Sequence, residues 1–95
     1  MLVLAQVPGH FPDFLVLFIS SQLSQASPGD VVLTTNDPEF ASTGLKRSSV
    51  FRIGKIATIS TQLIVGALGQ LNEETVDEIV GRVVQVIRSE GSTLT

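Results

Sequence analysis

The apolar positions of this chain fall into short runs separated by turn residues, followed by one long helical period. Leu2-Val3-Leu4-Ala5 predicts a first short strand. Pro8-Gly9-His10-Phe11-Pro12-Asp13 reads as a loop, because two prolines cannot sit inside a central ladder. Phe14 to Ile19 is six apolar residues without alternation. Such a run is a strand buried on both faces or a buried helical turn, and its Phe, Val and Ile content favours the strand. Ser20 to Gly29 is small and polar and ends on the turn signal Pro28-Gly29. Val31 to Thr35 is β-branched and predicts a further strand, closed by Asn36-Asp37-Pro38. Glu39 to Lys46 reads as a loop or short helical turn ending near Gly44. Ser49 to Ile53 and Ile56 to Ile59 read as two strands with a bend at Gly54-Lys55, and Gly66 to Gly69 as a final short strand.

Asn72 opens the clearest helix. Asn is a strong N-cap, because its side chain accepts a free backbone N–H. Glu73 and Glu74 then lie where the helix dipole favours negative charge. Val76, Ile79, Val80, Val83 and Ile87 keep the helical spacing, and Val84 and Val86 widen the apolar face. Arg88 suits the last turn and Gly91 suits the stop. Gly81 costs about 1 kcal/mol against Ala in a helix, which points to a close packing contact there. Ser92 to Thr95 reads as a loose tail. The pattern predicts a mainly β fold with a C-terminal helix. Its strand edges need closure into a small barrel, or a dimer.

Composition narrows the chemistry. The 95 residues suffice for a single domain, spanning 1–95. With no Cys, disulfides, thiol catalysis and Cys-ligated metals are excluded. A single His, His10, excludes a multi-His metal site, so no metal and no cofactor is expected. The net charge of −3 excludes a globally basic nucleic-acid binder. Neither apolar run near the N-terminus approaches the ~20 residues of a membrane span. The first basic residue is Lys46, so no positively charged leader precedes them, and a cytoplasmic location is expected.

The charge is unevenly placed. Lys46, Arg47, Arg52 and Lys55 are four of the six basic residues, and the stretch they span contains no acid. Such a strip binds polyanions through its local field, or is a solvated strand edge that discourages pairing. Ser20-Ser21-Gln22, just past the apolar run, supplies hydroxyls and an amide suited to a ligand, or a local turn cap. His10 is a loop residue, a solvated side chain or a general acid–base.

Four segments together resemble one family. Ile19-Ser20-Ser21-Gln22 resembles the I-T-S-Q signature of the MazF/PemK toxins. Gly44-Leu45-Lys46-Arg47-Ser48-Ser49-Val50 is similar to that family's G-L-x-x-x-S-x approach to its next strand. Arg52-Ile53-Gly54-Lys55-Ile56-Ala57-Thr58-Ile59 resembles its R-x-D-K-I-x-T-I segment. Gly66-Ala67-Leu68-Gly69-Gln70-Leu71 is similar to its x-I-G-x-L close. The order and spacing hold over nearly the whole chain.

The resemblance implies a small SH3-like β-barrel with a terminal helix, usually a homodimer. It implies the toxin of a type II toxin–antitoxin system, a metal-independent endoribonuclease that cuts single-stranded RNA at short sequences. A ribose 2′-hydroxyl attacks the adjacent phosphate, with an Arg for proton transfer and a Thr holding the phosphate. Ser20 occupies the Thr position. Ser21, Gln22, Lys46, Arg47, Arg52 and Lys55 are then the expected RNA contacts. The partners implied are single-stranded RNA and an antitoxin peptide, with DNA reached only through the antitoxin. Two departures stand out. Gly54 replaces the acid before Lys55. Met1 to Leu4 resembles the tail of the family's R-P-A-L-V-L motif, so the first hairpin and the catalytic Arg are expected before Met1 and the domain is expected to be N-terminally incomplete. Arg47 and Arg52 remain as replacements. The alternatives to a nuclease are a non-catalytic module binding RNA or antitoxin, and a degenerate remnant.

Overall fold

The computed structural model describes residues 1–10, 12–64, 66 and 68–89. Four strands form one antiparallel sheet: β1 (Leu2–Val7), β2 (Asp13–Ser20), β3 (Val31–Leu33) and β4 (Ser49–Ser60). Their order is β1-β2-β4-β3. A short helix, α1 (Phe40–Thr43), precedes β4, and α2 (Glu73–Ser89) follows it. The sheet curls into a half-barrel with α2 packed against β4, so the expected barrel has β1 and β3 as its edges.

β1 and β2 form a hairpin, since Val7 faces Asp13 across them. Leu17, Leu33, Phe51, Ile53 and Ile79 form the buried cluster, with Val83 and Phe40 packed against it. Val16 and Val50, which alternate with Leu17 and Phe51, are fully buried too. Both faces of the central pair are therefore covered where the sheet curls, which accounts for the unalternating apolar run in β2.

The two strands expected at 49–53 and 56–59 are one continuous strand with a corner in it. Leu17 faces Ile56 and Ile19 faces Phe51, so Arg52 to Lys55 stand opposite Phe18 alone. These extra residues on one side bend β4, as a bulge does. Backbone donors at such a corner lose their ladder partners and need others. Asp30, next to β3, supplies one. Its Oδ1 accepts the Ile53 N–H at 2.9 Å, and its Oδ2 accepts the Ser27 N–H at 2.9 Å. Arg52 Nε also reaches Oδ2, at 3.2 Å.

Several expectations change. β3 stops at Leu33, because the Asp37 carboxylate takes both the N–H and the hydroxyl of Thr34 into a turn. Gly66 and Leu68 to Gln70 lie in no strand, and Val65 and Ala67 fall outside the described residues. Gln70 N–H instead bonds the Ser42 carbonyl at 3.0 Å. Gly69 passes so near α1 that an added Cβ would lie 2.2 Å from the Ser42 oxygen. The expected helical turn ends at Gly44, which caps α1 in the left-handed conformation with φ 74°.

At the start of α2, the Asn72 carbonyl accepts the first helical bond, from Val76. The carboxylate that completes this end is Glu39 of the α1 turn. It accepts the Asn72 N–H at 2.9 Å and the Thr75 hydroxyl. Gly81 marks no close contact: a Cβ there meets nothing within 4 Å. Val80, Val84, Val86 and Ile87 are exposed, so the core-facing stripe is narrower than the apolar pattern suggests. Gly91 and the Ser92–Thr95 tail lie outside the described residues.

Two stability effects follow. Asp30→Ala leaves two N–H groups and Arg52 without their acceptor, and is expected to cost about 3 kcal/mol. Gly81→Ala is expected to stabilise by about 1 kcal/mol, because the helix gains propensity at no steric cost. Urea unfolding midpoints check both. An unchanged midpoint for Asp30→Ala would show that water replaces the carboxylate at the corner.

Candidate functional site

Antiparallel pairing decides which predicted residues meet. β2 ends at Ser20, which faces Val50 near the start of β4. β3 ends at Leu33, which faces Ser49. The segments after β2, after β3 and before β4 therefore share one end of the sheet. Ser20, Ser21, Gln22, Lys46 and Arg47 gather there. Hydrogen bonds hold the surrounding turns: Thr35 N–H donates to Ser48 Oγ at 3.0 Å, and Ser49 Oγ donates to the Arg47 carbonyl at 2.8 Å.

Ser20 is half-buried and Ser21 and Gln22 are exposed. Ser20 Oγ accepts the Gln22 N–H at 3.0 Å, so the local-cap reading of this serine holds. A hydroxyl has one donor besides its acceptor lone pairs. That donor has no acceptor among the described residues, which leaves it available to an anionic oxygen. Lys46 and Arg47 are exposed and make no ion pair among the described residues. The group is a hydroxyl donor at the same end of the sheet as two solvated cations, a combination suited to a phosphate oxygen.

Arg52 and Lys55 lie elsewhere. Arg52 is two residues along β4 from Val50, roughly 7 Å at the usual rise per residue. Its side chain is one-fifth exposed and committed to Asp30, so the acid missing from the local sequence is supplied from the β3 side. Lys55, exposed, is beyond the corner. Both line a cleft of about 610 Å³ between the corner, the Ser27–Asp30 turn and α2. Arg82 of α2 lines it as well, with Nη1 donating to the Gly29 carbonyl at 2.8 Å and Nη2 to Glu78 at 2.8 Å. Asp30 and Arg82 were missed in the sequence. Their partners lie 23 and 53 positions away, and no local pattern encodes those distances.

His10 sits in the β1–β2 loop, at the opposite end of β2 from Ser20. The eight residues of β2 separate them by roughly 23 Å along the strand. That geometry removes His10 from acid–base work at Ser20. Among the described residues no cluster of His, Asp and Glu could hold a metal ion.

A second cleft, of about 690 Å³, lies between β1, α1 and the segment before α2, and is lined mostly by apolar groups such as Met1, Val3, Leu63 and Leu68.

Comparison with known families decides the assignment. The model of the PemK-like, MazF-like toxins of type II toxin–antitoxin systems matches residues 1–87. The chain belongs to this family. The resemblance seen in four motifs thus extends over nearly the whole sequence, and the curled sheet with its C-terminal helix is consistent with the MazF/PemK fold. No curated protein matches the chain. A toxin of a type II system has an antitoxin as its partner, and this PemK/MazF-like toxin has no described helix long and apolar enough to cross a membrane.

The separation of the two basic groups gives a test. Neutralising Lys46 and Arg47 together to Gln is expected to leave the urea midpoint within about 0.5 kcal/mol of the parent, as for exposed side chains. Arg52→Gln is expected to lower stability, because it deprives the buried Asp30 carboxylate of its counter-charge. Equal midpoints for the two variants would show that the Arg52–Asp30 pair carries no net stability.

Proposed function

We propose that this PemK/MazF-like toxin acts on single-stranded RNA as a metal-independent endoribonuclease in the cytoplasm. The observation supporting this is the placement of Ser20, at the family's Thr position, at the same end of the sheet as the segment carrying Lys46 and Arg47. A phosphate there receives the Ser20 hydroxyl proton as a hydrogen bond and lies in the field of two cations. The reaction is attack of a ribose 2′-oxygen on the adjacent phosphorus. The 2′-hydroxyl proton is removed, the bond from phosphorus to the 5′-oxygen breaks, and that oxygen leaves with a proton. The products are a 2′,3′-cyclic phosphate and a 5′-hydroxyl. Ser21 and Gln22 extend the contact surface along the strand of RNA. Arg47 is the guanidinium at this end of the sheet, so it is the candidate for charge stabilisation and proton transfer.

The functional unit in this reading is a homodimer, and an antitoxin peptide controls it. Contact with DNA comes only through the antitoxin. A second reading, a module that binds RNA or antitoxin without cutting, is favoured by the state of the other arginines. Arg52 is paired with Asp30 and Arg82 with Glu78, and His10 is at the far end of β2.

The test is incubation of a long single-stranded RNA with the purified chain in EDTA, beside Ser20→Ala and the Lys46→Gln, Arg47→Gln double variant. The nuclease reading expects cuts at discrete sites, lost in Ser20→Ala. Binding without any cut selects the second reading. The double variant is expected to bind RNA more weakly and with a flatter salt dependence, by about 0.7 in logarithmic slope for each phosphate contact removed. An unchanged slope would reduce Lys46 and Arg47 to a solvated edge.

A further inference from the structure

The cleft at the corner of β4 is not used by the chemistry placed at Ser20. Three cationic side chains line it from two elements: Arg52 and Lys55 from the two ends of the bend in β4, and Arg82 from α2. Among the described residues one carboxylate, Asp30, lines it with them. Glu78 pairs with Arg82 from outside the lining. Even with both acids counted, the described residues make the concavity cationic on a chain whose net charge is −3. Concave placement concentrates such a field.

Two of the three cations are held in place. Arg52 is anchored by a carboxylate that is 5% exposed, and Arg82 bonds the Gly29 carbonyl. Each contact fixes the direction of a guanidinium whose remaining N–H groups are free to donate. Lys55 is exposed and has no ion pair among the described residues. Between Arg52 and Lys55 stands Gly54, where the quoted family pattern has an acid. An added Cβ at Gly54 meets nothing within 4 Å, so neither packing nor backbone conformation demands glycine. Its effect is electrostatic: position 54 adds no second carboxylate beside Asp30, which pairs with Arg52 and leaves Lys55 without a neighbouring acid on its own strand.

We propose that this cleft is a second phosphate-binding site, which takes a backbone phosphate of an RNA strand whose scissile phosphate lies at Ser20. It rests on the RNA reading above and adds to it an anchor beyond the corner, built by Lys55 and Arg82 and left cationic by the lack of an acid at 54. The anchor lengthens the stretch of RNA the chain engages.

The experiment is a binding titration of a 2′-O-methyl RNA oligomer, which cannot undergo 2′-oxygen attack, at several salt concentrations. Inorganic pyrophosphate is titrated in parallel. Gly54→Asp adds the carboxylate at a position where a Cβ meets nothing within 4 Å, and Lys55→Gln removes a charge at an exposed position should the first variant fold poorly. Each is expected to weaken oligomer binding about tenfold and to lower the salt slope by about 0.7, one phosphate contact. Ser20→Ala is expected to leave that difference intact. If the oligomer binds and Lys46→Gln with Arg47→Gln weakens it, while Gly54→Asp and Lys55→Gln change nothing, the second site is refuted and the RNA reading stands. If pyrophosphate alone binds and only its affinity falls in these variants, the site takes free phosphate and the RNA anchor is refuted. Failure of the parent chain to bind either probe overturns the site, while the cleavage assay judges the RNA reading separately.

Discussion

The fold turns on the Asp30 carboxylate. β4 must serve two partners: its first part pairs with β3 and the end of β2, and its second part pairs with the rest of β2. One straight strand cannot do both, so the strand bends across Arg52–Lys55. The bend strips a backbone donor, Ile53, of its place in the ladder while the Ile53 side chain is buried in the core. A buried N–H without a partner is costly. Asp30 meets it, and the same carboxylate holds the Ser27 turn and Arg52. Curl of the sheet, coverage of both faces of Val16 and Val50, and the seat for α2 all follow from a corner made tolerable at that point.

The corner also divides the chemistry. On one side the sheet ends gather short polar segments, and their geometry is set by backbone register. On the other side the strand, a turn and a helix meet around a concavity, and their geometry is set by side-chain bonds to Asp30, Gly29 and Glu78. A strip of basic residues that is continuous in sequence is therefore split into two surfaces of different construction. The first is solvated and adaptable. The second is anchored, with two of its cations already committed to protein partners.

This explains what the sequence disclosed. Periodicity found β1 to β3, the turn near Gly44 and the long helix, because these depend on neighbours a few positions apart, and it placed a strand at Gly66 to Gly69 where the described residues have none. The four motifs singled out Ser20 and the basic strip as candidates. Periodicity also suggested a bend at Gly54-Lys55, but divided β4 in two, because a corner inside one strand interrupts alternation just as a loop does. Gly81 was read as a packing contact, although helical spacing cannot show whether anything lies beside a glycine. The Asp30 contacts, the Glu39 cap on α2 and the Arg82 contact with Gly29 join distant positions, and pairings of that kind have no local signature. Glu39 is instructive here: it took over the end of α2 that Asn72 alone seemed able to complete by composition.

The central pairing has a consequence for how the chain acquires its structure. β1 and β2 are joined by a short loop, and their contacts are local. β2 and β4 meet only after 29 intervening residues have been looped out, even at their nearest pair, Ser20 and Val50. Closing such a loop spends chain entropy before the pairing returns anything, and sheets built this way fold slowly. Until it closes, the apolar half of β2 stands beside a lone hairpin with nothing across it. The period of vulnerability in this molecule is thus the search of β4 for β2, and the newly made chain is at its stickiest when its first hairpin is complete and its second half is still unplaced.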